Sequence, residues 1–272
     1  MRKRLSEIHP IFYRTRILQK RLFRQIADLP KFGKFANEQT SENLPFSIKK
    51  HQSLLRRKLG NSAPELQENK IENLKIACPT IDGILIKPKQ TFSFWRQLGE
   101  ATAKKGYVEG MQLSQGEVVR GVGGGLCQLA NLLYWMALHT PLEITERHHH
   151  SFDPFPDENR TLPFGSGAGV FFNYIDLRFY NPTDSIIQIR LNVAENHLKG
   201  TIYGEKEPEF SYHVIEKNHR FIKTGEKIYR ENEIWREVIN RKTGNRVNEE
   251  RLVSNFAEIK YDLSPDIECF CD

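Results

Sequence analysis

"GVGGGLCQLANLLYWMALHT", residues 121–140, decides how the chain is read. Four glycines within five positions precede one cysteine, one glutamine and an almost wholly apolar run. Leu126 to His139 is too apolar on every side for a surface helix, so the pattern predicts a buried one, stopped by Pro141. The glycines predict a tight strand-to-helix turn entered from the strand-like "EVVRG", 117–121. Cys127 then falls in the first helical turn, where free N–H groups and the positive end of the helix dipole favour a thiolate. The stretch carries two readings: a reactive thiol beside an oxyanion-binding backbone, or a packed cysteine behind a turn that only glycine can make.

Reading outward, "LEITERHHHSF", 142–152, alternates as a strand, with Leu142, Ile144, His148, His150 and Phe152 on one face. Arg147 and His149 take the other. A loop rich in proline and glycine follows, and "VFFNYIDLRFYN", 170–181, reads as a strand with Asn173 on its apolar face and Asp176 on the face of Tyr174 and Arg178. "SIIQIRLNV", "LKGTIYG", "FSYHVIE" and a C-terminal pair around "KTGN", 242–245, read as further strands. Upstream, Pro64 to Cys78 has a helical pattern, and two short strand-like runs flank Lys87 to Gln90. The expected class is α+β: a buried central helix packed on a mostly antiparallel sheet.

With 272 residues, 39% hydrophobic and 27% charged, the chain can bury a large single core. No uninterrupted apolar segment of signal-peptide or membrane-spanning character occurs, so the expected location is cytoplasmic, or peripheral at the inner face of the membrane. Residues 1–60 hold 15 Lys or Arg against 4 Asp or Glu, an excess of 11 that leaves the remainder at −5 within the total of +6. The chain is accordingly divided into a basic, partly helical arm (1–60), an α+β domain (61–265) and a flexible tail (266–272). In the arm, Ile11, Leu18, Leu22 and Ile26 line one side of a helix while Arg14, Arg21 and Arg24 occupy others, which suits an anionic membrane surface or a solvated helix packed on the domain. No recognised motif accompanies the charge, so nucleic acid is not an expected partner.

Cysteines 78, 127, 269 and 271 form no disulfide framework, and Cys269 with Cys271 lacks the second ligand pair of a zinc site. No Lys-Ser or Lys-Thr follows the glycines as a phosphate-binding P-loop requires. Neither metal nor cofactor is expected, with Cys127, His148 and His150 the alternative as zinc ligands. As a nucleophile, Cys127 would need His150 as general base and Asp176, or its rival Asn173, to orient the imidazole. Gly123, Gly124, Gly125 and Gln128 would then stabilise an oxyanion, in amide or acyl transfer or hydrolysis. The competing reading is a non-catalytic binding module, in which the glycine loop and Arg147 grip an anionic or peptide ligand and Cys127 only packs. Glu146 and Arg147 read equally as a structural ion pair.

Together, "KPKQTFSFW", the glycine-Cys-Gln block, "TERHHHSFDPFPDENRTLPFGSGAG" and "NYIDLRFYNPTD" resemble the VanW family, from about residue 68 into the C-terminal region. The family motif falls on Gly123, Gly124, Gly125, Cys127 and Gln128, then Glu146, Arg147 and His150, then Asp176 and Asn181. His148 stands outside it. The resemblance implies a short, single-domain form, an envelope and glycopeptide-resistance context, and a cell-wall peptide or precursor as ligand or substrate. It implies no reaction.

Overall fold

A computed structural model describes residues 10–56, 64–114, 117–149, 152–153, 156, 161–263, 267 and 269–271. His150 lies outside them. In chain order, α1 (Pro10–Asp28) and a 3-10 turn (Leu29–Lys34) lead to β1 (Glu38–Gln39), β2 (Phe46–Leu54) and α2 (Pro64–Ala77). Then come β3 (Ile84–Ile86), β4 (Thr91–Ser93), α3 (Phe94–Leu98), β5 (Glu109–Ser114), β6 (Glu117–Val122) and α4 (Cys127–Leu138). The rest is strand: β7 (Glu143–Glu146), β8 (Phe152–Asp153), β9 (Arg178–Tyr180), β10 (Ile187–Val193), β11 (His197–Gly204), β12 (Phe210–Thr224), β13 (Lys227–Asn240), β14 (Arg246–Ile259) and β15 (Cys269–Cys271).

An antiparallel five-stranded sheet, ordered β1-β3-β10-β11-β2, carries the core. In β10 Ile187, Ile189 and Leu191 are buried and Asn192 is exposed, as the alternation predicts, but Gln188 on the polar face is fully buried and bonded to the backbone of Glu42 and Leu44. Helix α4 lies across β11 and β2 with Leu129, Leu132, Leu133 and Met136 fully buried. The sheet admits it at Gly200, where a Cβ would stand 2.5 Å from Met136 Cε. A second sheet, β15-β12-β13-β14-β8, is dominated by a long antiparallel meander. It is tied to α4 electrostatically, for Arg236 of β13 donates to Thr140 O at 3.0 Å and sits at the negative end of the helix. A three-stranded sheet, β4-β9-β7, and the β5-β6 hairpin complete the fold.

The α+β class and the buried central helix stand, whereas several local expectations change. The stretch to residue 60 is more than an arm, since β2 pairs along β11 from Phe46 to Leu54 and Phe35, Ala36 and Leu55 are buried. Residues 142–152 are not one strand: β7 ends at Glu146 with a bulge against β9, and His148 beyond it forms an isolated bridge to Gly169. The run 170–181 is a tight turn, closed by Ile175 N to Phe171 O at 3.0 Å, before the three-residue β9. Asn173 and Asp176 thus never share a strand. Near the C-terminus, residues 269–271 are not the flexible tail that the sequence suggests, for they pair in parallel with Phe221 to Lys223 of β12.

Candidate functional site

The glycine turn is close-packed rather than open. A Cβ on Gly124 would overlap the carbonyl group of Gly110 and fall 2.6 Å from its Cα, and one on Gly125 would stand 2.8 Å from Lys70 Cβ. Gly123 and Gly125 also adopt φ of 75° and 95°, which other residues avoid. Three of the local amides are taken: Gly123 N donates to Val108 O, Gly124 N to Gly121 O and Gln128 N to Gly125 O, each at 3.0 Å. Beneath the turn, the buried Asn73 donates to Gly124 O at 2.9 Å and to Val108 O at 3.0 Å, and accepts from Val108 N at 2.9 Å. Lys70, also buried, donates to Leu55 O and Gln67 Oε1. Close packing is what these glycines provide here, Gly124 against the backbone of Gly110 and Gly125 against the side chain of Lys70.

Cys127 begins α4, as predicted, under the loop 164–170. That loop is fixed by Arg147, which donates to Gly167 O at 2.9 Å and to Gly165 O, and by Asn131, whose Oδ1 accepts from Ala168 N at 2.7 Å. Burial pushes the Cys127 thiol up from its ordinary value, outweighing the backbone groups of Val170 and of Cys127 itself that favour the thiolate. This is the opposite direction from a helix start acting alone. Cys127 as a residue is half-buried, and desolvation by the protein around it is the larger influence on its thiol.

The remaining motif residues are engaged elsewhere. Gln128 Nε2 donates to Ser53 Oγ at 2.7 Å and Leu54 O at 2.9 Å, fastening α4 to β2. Asp176, fully buried, accepts from Ser93 Oγ at 2.6 Å, Trp95 N at 3.1 Å, Leu177 N at 2.9 Å and Arg178 Nε at 2.7 Å. Its carboxyl is raised by burial, against those donors. Glu146 accepts both terminal nitrogens of Arg24 at 2.5 Å and the amide of Asp176 at 3.0 Å. Asn181 spans two elements, donating to Ile86 O and Ser185 O at 2.8 Å. His148 is exposed, 3.8 Å from Glu146. Asn173 lines an open cavity of about 390 Å³ with Gln25, Trp95 and Arg96, none of them in α4. Among the described residues no group of three His, Cys, Asp or Glu could hold a metal ion.

A second place has the character of a site. Between the outer edge of β2 at Ser47 to Lys49 and the first half of β12, Phe210 to Ile215, lies an open cleft of about 380 Å³. Neither stretch of edge has a strand partner on that side among the described residues. Lys49, His139, His213 and Arg241 line the cleft, and no carboxylate does. His139 lies at the C-terminal cap of α4, its Nδ1 bonded to Trp135 O at 2.9 Å. Burial, followed by the charges of Lys49, His51 and His213, lowers its pKa to about 4. One usable signal of this cleft exists in the sequence, the alternation in "FSIKKHQSL", which its charge disguises as arm.

Residues 69–203 match the family model described as VanW like protein. The vancomycin B-type resistance protein VanW of Enterococcus faecalis is 34% identical over 202 residues, 74% of each chain. The chain belongs to the VanW family. The uncharacterized protein YoaR of Bacillus subtilis is 31% identical over 139 residues, 50% of this chain and 43% of its own length. No solved structure matches this chain. The VanW segment opens in α2 and closes within β11, so it contains the glycine turn, α4 and the Asp176 network but leaves out β2 and the meander.

Proposed function

We propose that this VanW-family chain is a non-catalytic binding module associated with vancomycin-type resistance, and that its ligand is an extended, carboxylate-bearing peptide of cell-wall type. The observation that carries the reading is the cleft between the edges of β2 and β12, where unpaired strand backbone and uncompensated cations stand together. Free N–H and C=O groups on an edge add a strand from a partner, and Lys49 and Arg241 select one with negative charge. The raised thiol of the half-buried Cys127 supports the same side of the choice. A thiol reaction retains one favourable observation, the position of Cys127 in the first turn of α4 beside the backbone of Val170.

Calorimetric titration tests the binding reading. A cell-wall stem pentapeptide with free carboxylates should bind, its fully amidated form at least tenfold more weakly, and Lys49→Glu with Arg241→Glu should abolish the heat. Binding that survives both charge reversals, or that is indifferent to amidation, would overturn it.

A further inference from the structure

Helix α1 is mounted with its polarity reversed. An ordinary surface helix turns its apolar stripe to the core and its charges to water. Here the charged side faces the protein: Arg21 donates to Phe172 O at 3.0 Å and pairs with Glu100 at 3.0 Å, and Arg24 grips Glu146. Asp28 meets Arg178, both buried, with nitrogen and oxygen 2.6 Å apart. At ~100° per residue these positions fall within one arc of about 60°. The opposite arc carries Ile11, Leu18, Leu22, Phe23, Ile26 and, past the helix end, Leu29, between 53% and 70% exposed. Six large apolar side chains in a row are held outward by ion pairs.

The charge beside this stripe is of one sign. The acidic residue of α1 is Asp28, and it is taken up by Arg178. Arg14 and Arg16 are exposed along its flanks, Lys20 is exposed with its ammonium 4.8 Å from the centre of the Tyr174 ring, and Lys31 follows the helix. We infer that α1 is an interfacial membrane helix, lying flat on an anionic lipid surface with Leu18, Leu22 and Phe23 in the acyl boundary and the flanking cations among the headgroups. Two copies meeting through the same stripe would bring Arg14, Arg16 and Lys20 against their equivalents, whereas anionic lipid complements both the apolar strip and its cations. No helix among the described residues is long and apolar enough to cross a membrane, so this contact lies on the surface. The domain, joined through Glu146, Asp176 and Arg178, would then be held at a fixed angle to the bilayer.

Flotation of the full chain with vesicles tests this directly. It should float with phosphatidylcholine vesicles containing about 30% phosphatidylglycerol at about 0.15 M salt and stay behind with phosphatidylcholine alone. Leu18→Glu with Leu22→Glu should reduce the bound fraction at least tenfold while leaving the melting temperature unchanged, because both side chains are already in water. In Phe23→Trp, anionic vesicles should shift the added emission to the blue. Failure to float with anionic vesicles, flotation undiminished by the two glutamates, or an added indole emission that anionic vesicles leave unmoved would each overturn the inference. So would sedimentation showing a lipid-free dimer that the same two glutamates dissolve.

Discussion

Asp28 and Arg178, 150 positions apart in the chain, meet in a double hydrogen bond: Nη1 to Oδ1 at 2.7 Å and Nη2 to Oδ2 at 2.6 Å. The same guanidinium gives its Nε to Asp176 at 2.7 Å, so one cation serves two buried carboxylates. Arg178→Met should cost about 3 to 5 kcal/mol, the scale of stranding buried charge, measured by urea unfolding at pH 7. A loss below about 1 kcal/mol would show that this network is not what holds α1. The pH dependence has opposed parts. Burial would raise the Asp28 carboxyl, but the hydrogen bonds and charge of Arg178 leave it below its ordinary value. Its contribution is therefore present at neutral pH and lost as pH falls through the folded value, while the raised Asp176 is relieved in the same direction.

Gly124→Ala should destabilise by at least about 2 kcal/mol, because the contacting partner is backbone and cannot move aside. The added methyl would run into the carbonyl carbon and oxygen of Gly110 and lie 2.6 Å from its Cα. Gly33→Ala, with nothing within 4 Å, is the control and should change stability by less than about 0.5 kcal/mol. Thermal melts of the pair decide whether the glycines serve packing. Equal melting temperatures would return them to ligand binding.

Iodoacetamide labelling against pH, read by mass spectrometry, tests the thiol. In the native protein Cys127 should label slowly at pH 7 and accelerate only above the ordinary thiol value of about 8.5, since burial raises it. Rapid labelling at neutral pH that slows in His150→Ala would instead establish a coupled nucleophile and displace the binding-module reading.

His139 should make the protein acid-sensitive well above the carboxylate range. Its folded pKa of about 4 lies below the unfolded 6.5, so between those values the unfolded chain binds the extra proton and stability falls as pH falls. The expected loss between pH 7 and pH 5 is about 2 kcal/mol at this one group. Unfolding titrations should show that slope, and His139→Gln should remove most of it. An anionic peptide in the cleft should also remove part of it, by offsetting the charges of Lys49 and His213.

The helix carrying Cys127 is legible in the sequence because an apolar run on every face has one solution, burial, and the glycines and Pro141 mark its ends. The sheet strands from Ile187 onward are legible for the same reason, a period of two with one wetter face. Asp176 misleads because alternation through "VFFNYIDLRFYN" imitates a strand, while a turn at Phe171 to Ile175 resets the faces. β2 is hidden by its lysines, which suit a solvent-facing edge as well as they suit an arm. Of the cleft only the alternation of β2 is legible, since Lys49 and Arg241 come to line it through pairings that no local pattern specifies.

The edge position of β2 also bears on how much of the chain constitutes a foldable unit. The segment shared with the family starts at residue 69, after β2 has already been laid against β11 from Phe46 to Leu54. A protein trimmed to the shared bounds would strip that strand away, baring the backbone of β11 and the flank of α4 that Gln128 fastens through Ser53 and Leu54. Recombinant fragments cut by homology would be expected to aggregate through the bared edge of β11, whereas fragments starting ahead of Phe35 would keep β11 covered by the lysine-bearing β2.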